Sequence, residues 1–284
     1  MLTKREEEIW GSLLRWRQEM YHHEVSDKDD MLDTWMERAF SLLPAEVQEQ
    51  FFEKLDSWLF HVNSLLQSSE LIKGAKEQLI VSARAIHSDI AHVEDLRQLT
   101  IDQLNFLASQ NGSRHRLYAL AQGGFTGTGK AISLSSDFLG MLIINLRSVQ
   151  LLSMSYGFDV RTPTDMMETL KVFRTATLPR RYQTCGWEDL MADLEREEDP
   201  YFYSGKDRIT ESFWMDEPLK QLLKLGAILM LKKNLISGIP ILSMAVGAGC
   251  NYQTARKVTE FASRYYQYKY LRIKGADSIG SWQL

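Results

Sequence analysis

Cysteine is nearly missing from this chain: 284 residues hold two, Cys185 and Cys250, far apart in sequence. Two such thiols make no disulfide framework and lack the paired spacing of a metal knuckle, so both are expected reduced. Positive charge is not in excess either, since 33 Lys and Arg stand against 37 Asp and Glu for a net −4. A nucleic-acid partner is therefore not expected, because binding phosphates requires a positive field to displace their counterions. The opening MLTKREEEIW is charged where a secretory signal would be apolar, so a cytoplasmic location is expected. No run of about 20 apolar residues is free of charge, as a membrane-spanning helix requires. There is no GxSxG elbow and no Cys–His signature of nucleophilic catalysis. Alternation of β-branched and polar residues, the mark of a half-buried strand, is also absent.

What remains is helical periodicity. Trp10, Leu13, Leu14, Trp16, Arg17, Met20 and Tyr21 recur at helical spacing, with charges on the other face. Ser26–Asp29 reads as a helix start leading to Leu43, and Pro44 suits the first turn of a helix carrying Val47, Phe51, Leu55, Trp58 and Val62. A further helix is expected over 69–88. Thr100 and Gln103 have capping-box spacing and open a short helix expected to stop near Asn111-Gly112. Thr162-Pro163-Thr164-Asp165 begins another, and Asn251 is read as the cap of a last helix running to about Arg272. The fold class is all-α: a single multi-helix domain over 1–284, with N-terminal helices to 111 and a motif-bearing core over 112–284. A loop excursion is expected near 184–216, where the chain turns polar and aromatic.

Two segments stand apart, Gly123–Asp159 and Asn234–Ala255, both apolar, glycine-rich and read as helical. Gly124 to Lys130 has the glycine and lysine spacing of a P-loop. Ala131 stands where magnesium would need a hydroxyl, and helix rather than strand precedes it, so it reads as a turn between helices. Asp89 and His92 could share a helix face as half of a carboxylate-bridged metal site, but the second half is not found. No catalytic residue, cofactor or metal ligand is assigned. Leu235–Cys250, interrupted by Gly238 and Pro240 and preceded by Lys232 and Lys233, has the length of a buried core helix. The alternative is shallow membrane contact, with the lysines meeting anionic headgroups.

Two ordered motifs lie in these segments. The central one comprises Asp137-Phe138-Leu139, Asn145-Leu146-Arg147, Gln150 and Tyr156-Gly157-Phe158-Asp159. The C-terminal one comprises Gly238-Ile239-Pro240, Val246 to Tyr252, and Arg256. Together with the Trp- and Met-bearing opening helix and the aromatic RYYQYKYL tail, they resemble the EcsC family over essentially the whole chain. The resemblance implies a bacterial, cytoplasmic protein. The family takes its name from a gene beside an ABC transporter linked to secretion, and the resemblance implies no reaction or cofactor.

Asp137, Asn145, Arg147, Gln150, Tyr156, Asp159, Asn251, Tyr252 and Arg256 are the candidate binding or structural polar network. Polar groups interrupting apolar helix surface must be paired when buried, since each unsatisfied one costs roughly 1–3 kcal/mol. Asn145 and Arg147, two apart, cannot share a helix face, so partners are expected from Asn251, Tyr252 or Arg256. The leading expectation is a non-enzymatic accessory or regulatory protein with a protein partner and peripheral contact with the membrane surface. A dispersed hydrolase or metal-dependent site near Asp137 and Arg147 would instead show an open cleft with converging carboxylates. A binder of an apolar small molecule would enclose an apolar cavity between the two segments.

Overall fold

Helices account for nearly all of the residues that the computed structural model describes, namely 2–22, 70–126, 134–178, 180–195 and 240–275. They are α1 (Lys4–Tyr21), α2 (Glu70–Arg84), a 3-10 turn (Glu94–Gln98), α3 (Ile101–Thr126), α4 (Leu134–Ser155), α5 (Pro163–Thr177), α6 (Arg180–Glu195) and α7 (Pro240–Ile273). No strand occurs among the described residues, and the chain is all-α. The helices expected between Ser26 and Val62 lie outside the described residues.

Caps at the helix starts follow from short polar side chains. In α1, the Thr3 hydroxyl accepts from the Glu6 amide at 3.3 Å while Glu6 accepts from the Thr3 amide at 2.8 Å. The same reciprocal pair joins Thr100 to Gln103 before α3, and Thr162 to Asp165 before α5, with Pro163 in the first turn.

Three boundaries differ from the sequence reading. α3 runs straight through Asn111-Gly112, so the division placed there falls inside one helix. The surroundings there are tertiary: Gly112 is buried against α7, where a Cβ would stand in ordinary contact with Thr259 Cβ at 3.6 Å. Asn251 is no cap, because α7 already starts at Pro240, whose ring suits a first turn. Residues 184–195, read as the beginning of a loop excursion, belong to α6. There Trp187 and Leu190 are buried three apart and Leu194 packs on the core beside them, a helical period that the polar neighbours obscured.

The core is organised around the second half of α7. Val258, Phe261, Ala262, Tyr265, Tyr266, Tyr268, Tyr270 and Leu271 are all buried, so this helix is enclosed over most of its circumference. α1, α3, α4 and α5 all pack against it. Trp10 stacks on Tyr268 with centroids 4.7 Å apart, and Trp187 of α6 meets Trp16, Phe261, Tyr265 and Tyr268 edge-on. Ion pairs then fasten α5 to its neighbours: Glu168 to Lys269 of α7 at 2.5 Å, and Lys171 to Asp193 of α6 at 2.7 Å.

Side-chain pairs fix the helix directions. Going along α3, Leu99 (just before it), Asn105 and Gly112 meet Tyr270, Gln267 and Thr259 of α7 in reverse order. Asn105 and Asn111 meet Tyr156 and Ser155 at the end of α4. α3 is thus antiparallel to both, and α4 and α7 start at the end of the bundle where α3 stops.

α5 and α6 approach so closely that a Cβ on Gly186 would lie 2.6 Å from Thr175 Cγ2 and 2.7 Å from its Oγ1. Thr175 is buried and has nowhere to go. Gly186→Ala should lower stability by about 1–3 kcal/mol, read as a lower urea midpoint at unchanged slope. A wild-type midpoint would refute the close approach.

Candidate functional site

The central motif ends in a turn in which each residue has its own task. Gly157 has φ of +81°, a left-handed conformation that glycine adopts without cost. Its amide donates to Met154 O at 2.9 Å, and the Phe158 amide reaches back to Ser153 O at 3.1 Å. These two bonds are a Schellman cap that satisfies the last carbonyls of α4. The turn also needs a bare Cα, because a Cβ would meet Arg97 Cγ at 2.6 Å.

That approach lets Arg97 donate from Nε to Gly157 O at 2.9 Å and lay its guanidinium over the Phe158 ring, 4.7 Å from the centroid. Lys269 Nζ lies 4.6 Å from the same centroid. Phe158 is thus shared between a cation from the 3-10 turn and one from α7, each contact worth roughly 0.5–2 kcal/mol. Asp159, almost fully enclosed, accepts from Lys76 Nζ at 2.5 Å and Arg161 Nε at 2.6 Å. Arg161 extends to Glu94 at 3.1 Å. One turn therefore joins α2, the 3-10 segment, α4 and α7.

Tyr156 points the other way. Its hydroxyl donates to Asn105 Oδ1 at 2.9 Å, and Gln267 Nε2 donates to the same oxygen at 2.6 Å. Burial pushes the Tyr156 phenol up, against a smaller opposing pull from Gln267. Asn111 Nδ2 continues the seam to Ser155 Oγ at 3.0 Å. These bonds run across α3, α4 and α7 and set their register.

Higher on α4 the polar residues diverge. Asn145 is wholly buried and donates to Met141 O on its own helix at 2.8 Å, while its Oδ1 has no hydrogen-bond partner among the described residues. Gln150 is also buried. Arg147 is half-buried, and burial draws its guanidinium below the usual arginine range, with Tyr118 opposing. His115 on α3 is 3% exposed; burial first, then Arg147, pushes its imidazole down to about 4.

Of the other expected residues, Asp137 lies on α4 with its side chain outside the described residues. Asn251 and Tyr252 are half-buried on α7. Arg256 is exposed and donates to Glu260, one turn along its own helix, at 2.7 Å. The nine residues therefore do not converge on one point: Tyr156 serves the α3–α7 seam, Asp159 faces α2, and Arg256 faces solvent. Among the described residues no group of three or more His, Cys, Asp and Glu is placed to hold a metal, and no helix is long and apolar enough to cross a membrane.

Asn105, Gln267, Arg97, Lys269 and Lys76 complete these clusters and were not anticipated. Gln267 carried a signal, as the one amide inside the aromatic RYYQYKYL run. Lys76 and Arg97 carried none, since their partners Asp159 and Gly157 lie 83 and 60 residues away.

With helices, motif turn and seam in place, the sequence comparisons fall into line. The chain belongs to the EcsC protein family, whose model matches residues 7–271. It is similar to the uncharacterized protein YdbA of Bacillus subtilis, 21% identical over 262 residues that cover 88% of this chain and 93% of that one. It is also similar to protein EcsC of Bacillus subtilis, 24% identical over 144 residues, 51% of this chain and 56% of that relative. No solved structure matches.

Gly157→Ala should cost about 1–2 kcal/mol for the left-handed backbone, and more once Arg97 is displaced. Gly74→Ala, in α2 with open space around it, should instead gain about 0.4–1 kcal/mol. Urea unfolding reads both, and equal shifts would contradict the turn. The depressed His115 value also makes stability pH-dependent. The unfolded histidine takes up a proton near 6.5 and the folded one only near 4, so stability is full above 6.5 and falls as pH drops towards 4. The loss should reach ~3 kcal/mol and be absent in His115→Gln, and the His115 ring resonance should titrate near pH 4 in NMR.

Proposed function

We propose that this is a non-enzymatic accessory or regulatory protein, working through contacts at the anionic cytoplasmic face of the membrane and with a protein partner there. The observation that carries this reading is a separation of charge. From Gln103 to the end of α3, through α4, and along α7 from Pro240 to Glu260, the charges are Arg114, Arg116, Arg147, Arg256 and Lys257 against Asp137 and Glu260, the latter paired with Arg256. The whole chain has a net −4. Positive charge therefore predominates along these stretches of the three packed helices, in a chain that is acidic as a whole. Such a region is drawn to phosphatidylserine- or phosphatidylglycerol-rich surfaces, each Lys or Arg adding about 1 kcal/mol near the headgroups. The two apolar, glycine-rich segments lie on the same helices. In its finer form, supported by the family resemblance, the proposal places the protein beside an ABC transporter that serves secretion.

Flotation of the purified protein with vesicles of phosphatidylcholine, with and without phosphatidylglycerol, tests the membrane contact. The protein should rise with the anionic vesicles at low salt and progressively less as salt screens the attraction. If it stays wholly in the soluble fraction with phosphatidylglycerol present, the membrane reading fails.

A further inference from the structure

One face of α3 remains uncovered in a way that its neighbours do not explain. Phe106, Leu117, Tyr118 and Leu120 are 59, 60, 54 and 39% exposed. At 100° per residue, Tyr118 lies on the flank of α3, about 100° round from Leu117, while Phe106, Leu117 and Leu120 fall in one narrow sector. They form a ridge about 21 Å long on the helix rise. Val81 and Ile273, also exposed, stand singly on other helices, as scattered surface residues usually do. Phe106, Leu117 and Leu120 differ because they share a face, and because the residues between them are uncharged or cationic. Exposed Ser109, Ser113 and Arg114 lie between Phe106 and Leu117, and no carboxylate occurs from Gln103 to Thr126.

Resting on the membrane-contact reading, we infer that this face of α3 lies in the plane of an anionic bilayer, with Phe106, Leu117 and Leu120 in the acyl boundary, Arg114 and Arg116 at the headgroups and Tyr118 on the flank above them. An in-plane helix of this kind combines an apolar ridge with basic flanks and buries its ridge about 5–10 Å deep. The surface is the convex side of one helix, which offers no pocket for a partner's anchoring side chain. A fluid lipid surface moulds to it. The charge fits as well: α7, packed along α3, adds exposed Arg256 and Lys257 against Glu260. The ridge is held firmly in place, since the Tyr118 ring meets the buried His115 edge-on at 5.7 Å and Ala119 is fully buried beneath it. Tyrosine suits the flank of such a ridge, with an apolar body and a hydroxyl that reaches water.

The test uses the full chain and the same two vesicle compositions, with three variants whose melting is first checked by circular dichroism. Leu117→Asn/Leu120→Asn removes ridge surface, Arg114→Glu/Arg116→Glu reverses the flanking charge, and Val81→Asn is the control on α2. The first should lower partitioning onto phosphatidylglycerol vesicles at least tenfold and the second more than tenfold, while Val81→Asn stays within twofold of wild type. Exposed positions make folding of the ridge and control variants secure, and for the charge variant the salt dependence of partitioning should also flatten. If wild type floats and Leu117→Asn/Leu120→Asn floats equally, the face assignment is wrong while the membrane reading stands. If wild type does not float, both fail. If wild type is a dimer that Leu117→Asn/Leu120→Asn makes monomeric, a second copy covers the ridge and the inference is overturned.

Discussion

Between Ala255 and Leu271, α7 presents large apolar or aromatic side chains in nearly every direction, four of them tyrosines no more than 6% exposed. A helix of that kind is stable only when surrounded, and the other helices are placed by that demand. α3 covers one side, α4 and α5 a second, and α1 with α6 closes the rest through Trp10, Trp16 and Trp187. Burying tyrosines in this number creates a second demand, since each hydroxyl needs a partner or a substantial gain from its ring. Tyr270 meets it through Leu99 O at 3.4 Å. For Tyr265 and Tyr266, burial drives the phenols far above their ordinary range, so both stay protonated and add no charge to the core.

Hydrophobic burial alone would leave these helices free to slide, because it is non-directional. Register comes from the polar seam and the turn that ends α4. Asn105 accepts from Tyr156 and Gln267 together, which ties α3 to α4 and α7 at one height. A slip of one residue in α3 would break both bonds, and a slip of α4 or α7 would break one. The Gly157 turn adds a separate tie, since Phe158 between Arg97 and Lys269 anchors the 3-10 segment to α7. The Tyr-Gly-Phe-Asp run thus works as four separate fasteners, which explains why polar and small residues stand in an otherwise apolar stretch without forming one site.

Fold class and some helix starts were legible because they depend on local chemistry: Thr100 and Thr162 cap their helices with partners three residues on. Helix ends were less legible. Gly112 and Asn111 look like a stop in isolation, whereas in the fold they sit inside α3 against Thr259 and Ser155, far along the chain. The trend repeats in the candidate site. Burial of Asn145, Gln150 and Tyr156 was foreseeable from polar residues in apolar periodicity. Their partners were not, because Asn105 and Gln267 are 162 residues apart and meet only once three helices have docked. Arg256 was misleading for a related reason: a cation in an apolar motif suggests a buried pair, whereas its partner Glu260 is simply one turn away on an exposed face.

The two ends of α7 differ in how their cations are met. Near its C-terminus, Lys269, Arg272 and Lys274 reach Glu168, Glu195 and Glu6, carboxylates delivered by α5, α6 and α1. Near Thr259 the adjoining stretches of α3 and α4 deliver arginines instead, with only Asp137 among them. Packing does not require that asymmetry, since acidic residues on the exposed side of α3 would cap and solvate the helix equally well. Nor does solubility, for which added carboxylates serve better than added cations. On the membrane-contact proposal, the side formed by these described stretches would be drawn towards a negative surface at distances up to a Debye length, about 8 Å at physiological salt. The ridge on α3 lies on that side. Electrostatics would therefore present the apolar residues to a bilayer before contact, and the buried seam would hold α3 rigid enough to keep that orientation once contact is made.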